Sequence, residues 1–426
     1  MADSLDTDVV VIGAGPVGLL LAGELRLGGA RVTVLEQRTE PTTESRASTL
    51  HTRSMEILAE RGLLDRLGPL QSGGPGHFGG MPLDLTAAAP GHPYAGQWKC
   101  PQSRLEAVLQ EWATESGARV LRGHVLTGLR SRTDRVEASF IALGGQPAVL
   151  SASYLVGCDG ERSTVRQLAG FEVTGEDGTL EMLRADLAGI DVPNRRFERH
   201  PHGLATAFRW PDGTTRVMVH VHGSTPGRRA GAPALDEVVD AWALVTGENI
   251  SAGTPVWLNS FDNTSLQARS YVKGRILLAG DAAHVQMPVG GQALNLGLQD
   301  AADLGSKLAQ QVAGPDDFGG PEEAGGFTLL DSYHEARHRI GAATITNIQA
   351  QARLLLGGPE VDGLRSVFGE LLEIGPARRH LARAISGLRP PEPELPLSGP
   401  LEPLSAERDR ISPHPTSPPK IVGETP

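Results

Sequence analysis

Gly13-Ala14-Gly15-Pro16-Val17-Gly18 fits G-x-G-x-x-G, and Glu36 follows 18 residues after Gly18. Each position has a chemical reason in a dinucleotide site. Gly13 permits a tight turn, Gly15 lets the backbone approach a pyrophosphate with no Cβ in the way, and Gly18 allows close helix–strand packing. A helix start there offers unpaired N–H groups and a positive dipole end to the phosphates. Glu36 can accept hydrogen bonds from an adenosine ribose, and its charge disfavours a 2′-phosphate. The pattern alone is weak, because Gly74-Pro75-Gly76-His77-Phe78-Gly79 also fits it. That second match has no strand before it and no helix after it, and it reads as a glycine-rich loop. The first match lies between a strand and a helix, and it suits NAD and FAD equally.

A second constellation separates the two. Arg275-Ile276-Leu277-Leu278-Ala279 reads as a buried strand running into Gly280-Asp281, followed by Pro288, Gly290, Gly291 and Asn295 at a helix start. A plain NAD dehydrogenase has no use for another cradle, whereas the ribityl chain and isoalloxazine of FAD need one far from the adenine. Asp281 can accept a ribityl hydroxyl. Backbone N–H groups at Ala293, Leu294 and Asn295 can stabilise negative charge at N1/O2 of reduced flavin. Between these motifs, Tyr154 to Gly160 reads as a strand ending in Asp159-Gly160, with Arg162 and Arg166 four residues apart on one helix face.

The elements that must position these residues follow from apolar spacing. Residues 9–12 and 31–35 read as buried parallel strands around a helix at 17–27 that Gly28-Gly29 ends. Helices are expected at 53–61, 103–115, 292–311, 331–356 and 361–387, and strands near 119–129, 134–142 and 149–156. Alternation such as Val217, Val219 and Val221 within 181–270 predicts a mostly antiparallel sheet with those valines on one face. After Arg389 periodicity stops, and 11 of the 31 prolines fall in residues 390–426, as in a disordered tail. The expected architecture is α/β: a Rossmann-like FAD-binding domain of glutathione-reductase type (1–175 and 270–330), an inserted antiparallel β-sheet substrate domain (70–100 and 176–269), a helical segment (331–388) and the tail (389–426).

Composition narrows the function. The chain has 426 residues, with 39 Lys plus Arg against 50 Asp plus Glu, a formal charge of −11. That argues against nucleic-acid binding, which relies on cationic contacts to phosphate. Two cysteines cannot build a disulfide framework or a cysteine-rich zinc site. The acidic start is unlike a secretory signal, and the longest apolar stretch is too short to span a membrane. A soluble cytoplasmic enzyme without a metal, monomeric or homodimeric, is the expectation.

These motifs, in order, resemble the FAD-dependent class A aromatic hydroxylases of the para-hydroxybenzoate hydroxylase-like fold, closest to those acting on angucycline and anthracycline polyketides. The resemblance covers residues 6–388 and includes Gly23-Glu24-Leu25-Arg26-Leu27, Glu44-Ser45-Arg46, Gly76 to Gly80, Pro101-Gln102-Ser103 and Asp331-Ser332-Tyr333-His334. It implies that Gly13, Gly15, Gly18 and Glu36 hold the ADP part of FAD and that Arg46 lies near the pyrophosphate. It further implies that Gln102 contacts FAD, that Asp159, Gly160 and Arg166 form a middle fingerprint, and that Asp281 binds the ribityl chain. Pro288, Gly290, Gly291, Ala293, Leu294 and Asn295 would surround the isoalloxazine. The implied activity is NADPH- or NADH-consuming hydroxylation of a polycyclic phenol with O2, through a flavin C4a-hydroperoxide, in antibiotic biosynthesis.

There are two departures from the family pattern. Ala293 stands where the family has glycine, which raises the questions of crowding and of a positive φ. The thioredoxin-like C-terminal domain common in the family is replaced by the proline-rich tail. Baeyer–Villiger-type oxygenation and FAD binding without oxygen transfer remain alternatives, whereas the Trp-x-Trp-x-Ile-Pro stretch of flavin halogenases is missing from the sequence. A base for the phenol is not identified: His51, His77, His220, His222 and His284 are candidates by residue type alone. Residues 181–270 are expected to form the pocket floor and loop 73–82 its mouth.

Overall fold

The computed structural model describes residues 6–42, 47–227, 231–314 and 328–388. The expected first unit forms as β1 (Thr7–Ile12), α1 (Pro16–Leu27) and β2 (Val32–Glu36). It is followed by α2 (Gln102–Glu115), β3 (Arg119–Arg122), β4 (Pro147–Gly157), β5 (Ile276–Leu278), α3 (Gln292–Ala313) and α4 (Leu329–Leu356). Parallel neighbours run in the order β3–β2–β1–β4–β5. Strand order therefore reverses between β1 and β4, and the crevice beyond their C-terminal ends is where such sheets take ligands. Val9, Val10 and Val11 are fully buried, as an apolar run in a sheet covered on both faces should be.

The run read as one strand over 119–129 is two. Gly123, at φ 72°, ends β3, and Val125–Ser131 turns away to pair antiparallel with Val136–Ile141, which pairs with the outer half of β4. One long strand thus joins two ladders of a single eight-stranded sheet, parallel at its C-terminal end and antiparallel at its start.

Three helices pack unusually close because glycines remove the side chains between them. A Cβ on Gly23 of α1 would meet the Trp112 ring of α2, and one on Gly305 of α3 would meet Glu24 of α1. Glu24 is itself buried and ion-paired with Arg61.

The antiparallel sheet expected between residues 181 and 270 has the spatial order Arg195–His200, Gly203–Arg209, Thr215–Val221, Glu181–Ala188, Thr254–Asp262. As the alternation required, Val217 and Val219 are buried with Val221 beside them, against Trp242 of the helix Leu235–Thr246. The opposite face presents Met182, Leu204, Met218 and Phe261 to Met287 and Val289 and to Ile348 and Leu355 of α4.

Three further expectations change. Gly76–Phe78 pairs with Met81–Leu83 as a hairpin whose Phe78, Met81 and Leu83 are buried, with Gly79 and Gly80, both at positive φ, making the turn between them. Residues 361–387 form two helices, Asp362–Glu373 and Gly375–Ile385, with Ile374 extended ahead of Pro376. Arg162 does not share a helix with Arg166, because Asp159 and Ser163 cap a helix that begins only at Thr164. The proline-rich tail at 389–426 lies outside the described residues.

Trp242 is fully buried, whereas Leu244 on the same helix is 54% exposed. Trp242→Ala is expected to lower the unfolding free energy by about 3–5 kcal/mol. Leu244→Ala should change it by no more than about 0.5 kcal/mol. Urea unfolding of both variants checks this.

Candidate active site

Turns following three adjacent parallel strands converge. Cys158 N–H donates to Ile12 C=O at 2.8 Å, and Ala279 N–H to Gly157 C=O at 3.0 Å, so the chain ends of β1, β4 and β5 are joined beyond the ladder. The glycines of the first turn have separable roles. Gly13, at φ 104°, lies where a Cβ would stand 2.5 Å from the Cys158 carbonyl oxygen; at Gly18 a Cβ would stand 2.0 Å from the Gly13 oxygen. Those two glycines are demanded by packing. Gly15 caps α1, and a Cβ there would meet nothing within 4 Å, so its face is open to a ligand at the helix N-terminus.

Glu36 lies at the end of β2 and accepts from Ala14 N–H at 2.7 Å and from Arg38 N–H at 2.9 Å. It thereby fixes the glycine turn, and a carboxylate with about four acceptor sites keeps capacity for ribose hydroxyls. Gln102 starts α2: its Oε1 accepts from Ala47 N–H at 3.2 Å and its Nε2 donates to Glu106 at 2.7 Å. Burial pushes the Glu106 carboxyl up, with the Gln102 amide opposing. Arg46 lies outside the described residues.

The middle turn works as a brace. Asp159 accepts from Ser163 Oγ at 2.6 Å and from Val165 N–H at 3.0 Å, while burial raises its pKa. Gly160, at φ 80°, makes the left-handed turn. Arg166 donates to the Ala282 carbonyl at 2.9 Å and to the Glu161 carbonyl at 2.6 Å, tying this turn to the one that carries Asp281. Asp281 is exposed in the single helical turn Gly280–Ala282.

That turn rests on a buried group the sequence reading passed over. Asp300 of α3 is fully buried. It accepts from Gly280 N–H at 3.0 Å, contacts His284 Nε2 at 2.6 Å and accepts from Arg337 Nε of α4 at 2.6 Å. Burial pushes its carboxyl up, but Arg337 and His284 outweigh burial and hold it below the usual carboxylate range. Tyr333 of α4 adds a bond to Leu278 C=O at 2.7 Å. The available signal was a charge on the apolar stripe of α3, among Leu296, Leu304 and Leu308.

Beyond Pro288, Gly290 and Gly291 both have positive φ, 67° and 69°, and lead into α3. Asn295 is buried and engaged with protein: its Oδ1 accepts from His51 N–H at 2.8 Å, and its Nδ2 donates to Thr49 C=O at 2.9 Å and Gly291 C=O at 2.7 Å. Any bond from this segment to a ring therefore comes from backbone N–H groups. Ala293 and Leu294 lie in the first turn of α3, and Leu294 packs on the main core. Ala293 has no positive φ, so only the crowding question remains.

The candidate histidines divide. His284 is engaged with Asp300, and His220 contacts the Glu181 carbonyl at 2.7 Å. His222 lies edge-on to His220 at 5.8 Å. His51 and His77 are buried near the Gly290–Gly291 turn and the Gly79–Gly80 turn; burial lowers them to about 4 and about 3.

The geometry fits the two ends of an FAD, and comparison with known proteins agrees. The family model described as FAD binding domain matches residues 6–348. A rifampicin monooxygenase of Streptomyces venezuelae is 39% identical over 399 residues, covering 89% of this chain and 78% of that protein. The crystal structure of an aromatic hydroxylase from angucycline biosynthesis superposes with a TM-score of 0.84 at 43% identity, over 90% of this chain and 76% of that one. A dialkyldecalin synthase of Streptomyces rugosporus is 34% identical over 388 residues, covering 89% of this chain and 80% of that protein.

Two predictions follow from the site. Gly15→Ala should fold with nearly unchanged stability yet lose bound FAD. Gly18→Ala should lose stability as well, because its Cβ has no room; flavin absorbance and thermal unfolding separate the two outcomes. The second concerns pH. Because folded His51 and His77 resist protonation below the ordinary 6.5, the stability linked to them is complete above pH 6.5 and is lost as pH falls toward 4. Between pH 6.5 and about 4.5 each should contribute a loss of about 2–3 kcal/mol. His51→Gln should flatten the profile by one histidine's share, measured by urea unfolding across that range.

Proposed function

Because this chain belongs to the FAD binding domain family and is a flavin-dependent aromatic monooxygenase, we propose that it hydroxylates a polycyclic phenol of polyketide type, consuming NADPH, or NADH, and O2. The observation that carries this reading is the meeting of two surfaces. The Met287–Val289 segment follows the Asp281 turn after the short strand His284–Val285 and packs on the apolar face made by Met182, Leu204, Met218 and Phe261. A ring system held at the start of α3 would thus lie beside an apolar wall suited to a flat substrate.

When bound, FAD supplies hydride acceptance and oxygen activation. The protein's part is to bind, orient and exclude water. Gly13, Gly15, Gly18 and Glu36 would hold the adenosine diphosphate end, with Gln102 and Arg46 near the pyrophosphate. Asp281 would hold the ribityl chain. Pro288, Gly290, Gly291 and the N–H groups of Ala293, Leu294 and Asn295 would surround the ring, with the α3 dipole favouring negative charge there. Asp159, Gly160 and Arg166 keep the turns in register.

A second reading has support from the dialkyldecalin synthase, which is named as a synthase and not as an oxygenase although a third of its aligned residues match this chain. In that reading FAD binds but oxygen transfer is lost. Baeyer–Villiger insertion is a variant of the first reading and gives the same added mass, so product NMR separates the two.

The test uses purified protein, NADPH, a polycyclic phenol and ¹⁸O2. Hydroxylation predicts one labelled oxygen in the product for each NADPH oxidised. Flavin that stays oxidised under NADPH, with substrate converted at unchanged oxygen content, contradicts it.

A further inference from the structure

Two amide side chains on α4 stand where apolar ones would pack. Asn347 and Gln351 are four residues apart and share a face of the helix. Gln351 is fully buried, although Ile348, Ala352 and Leu355 beside it in sequence belong to an apolar cluster. A buried amide is costly unless its hydrogen bonds are made, and here they are. The hairpin turn's Gly79 N–H donates to Gln351 Oε1 at 3.2 Å, and Gln351 Nε2 donates to Asn347 Oδ1 at 2.7 Å. Gln292, the buried first residue of α3, donates from its Nε2 to the same Asn347 oxygen at 3.3 Å.

The direction of every amide follows from the end of this chain of bonds. A backbone N–H only donates, so Gln351 must turn its oxygen to Gly79 and its NH2 to Asn347. Asn347 must then present oxygen, whose two lone pairs can take Gln292 as well. Reversing any one amide sets two donors or two acceptors against each other. One arrangement alone makes all three bonds.

The chain of amides ties the turn before α3 to the hairpin. Gly290 and Gly291 have positive φ in succession, and paired glycines have little conformational preference of their own. Asn295 holds the Gly291 carbonyl from within α3. Gln292 adds a tie to another helix. A Cβ on Gly290 would stand 3.5 Å from both Gln292 Nε2 and Gln351 Oε1, so the turn lies directly on the amides. At the other end, side chains take both backbone groups of Gly79: Gln351 takes the N–H, and Arg365 Nη1 donates to the carbonyl at 2.6 Å. The antiparallel sheet reaches the same hairpin through Phe197, whose ring lies 4.3 Å from that of His77 and whose Cβ lies 3.4 Å from the Cβ position of Gly80. Phe197 has φ 51°, the one positive value at a non-glycine among the described residues, as expected where the surroundings over-determine the backbone.

We propose that Gln351 is a positioning residue for the isoalloxazine: acting through Asn347 and Gln292, it sets where the Gly290–Gly291 turn lies against the ring. This rests on the functional reading above, in which that turn borders the ring. Removing Gln351 frees the turn, while the adenosine end keeps its own contacts at Gly15 and Glu36. FAD therefore stays bound with a looser ring. Misplacing a reacting group by about 1 Å costs about 10²-fold in rate, so a small displacement of the turn matters to turnover.

The experiment compares Gln351→Leu, Asn347→Leu and Asn347→Asp as FAD-loaded proteins. Aspartate has the shape of asparagine and keeps an oxygen acceptor for both neighbouring amides, so it separates the hydrogen bonds from packing alone. The readouts are FAD content and the time-resolved fluorescence anisotropy of the bound flavin, which reads the rotational freedom of the ring and needs neither NADPH nor substrate. Both leucine variants should retain FAD and show a faster anisotropy decay, and Asn347→Asp should match the unaltered protein. Should Gln351→Leu fail to fold, the two Asn347 variants decide by the same comparison. The proposal is overturned if the leucine variants keep the original decay, if they lose FAD altogether, or if Asn347→Asp is as loose as Asn347→Leu. An unaltered protein that takes up no FAD would defeat the functional reading itself, whereas a loaded protein whose ring stays rigid in the leucine variants removes only the role of Gln351.

Discussion

Everything at this site depends on three backbone turns touching. The ends of β1, β4 and β5 come so close that Gly13 leaves no room for a Cβ against the Cys158 carbonyl, and Cys158 and Ala279 carry hydrogen bonds from one strand end to the next. This contact brings a motif near residue 13 and another near residue 281 together, as the proposed grip on one ligand requires. Glycine at φ 104° is the residue that permits it, since an L side chain there is both strained and obstructed. Arg166 and Asp300 then hold the outer turns against that contact, one through the Ala282 carbonyl and the other through Gly280 N–H.

The two halves of the site are held by different physics. The half proposed for the adenosine relies on backbone geometry and a helix dipole, which need few side chains. The half proposed for the ring rests on a buried network of Asp300, His284 and Arg337, where the cost of removing charge from water is offset by close pairing. Losing one partner of such a group leaves the others unpaired, so the Asp281 turn is anchored more firmly than its exposed position suggests.

Features that depend on local backbone demands were legible in the sequence. The glycine turn, Glu36, the Gly-Asp turn after a buried strand and the valine alternation at 217–221 each announce themselves within a few residues, because turn geometry and side-chain periodicity are local. Features that depend on which distant polar residues become buried were not. Asp300 and Arg337 lie on different helices, and Asn295 bonds to a strand 246 positions away. The break at Gly123 and the late start of the helix at Thr164 were missed for a related reason: a cap or a left-handed glycine divides what apolar spacing joins.

The central claim is that these turns together grip one FAD, and the most direct measurement is the flavin content of the purified protein. The account predicts a yellow protein that releases intact FAD on denaturation, one molecule per chain, and recovers it on reconstitution. A colourless protein that folds cooperatively yet takes up no FAD would contradict it.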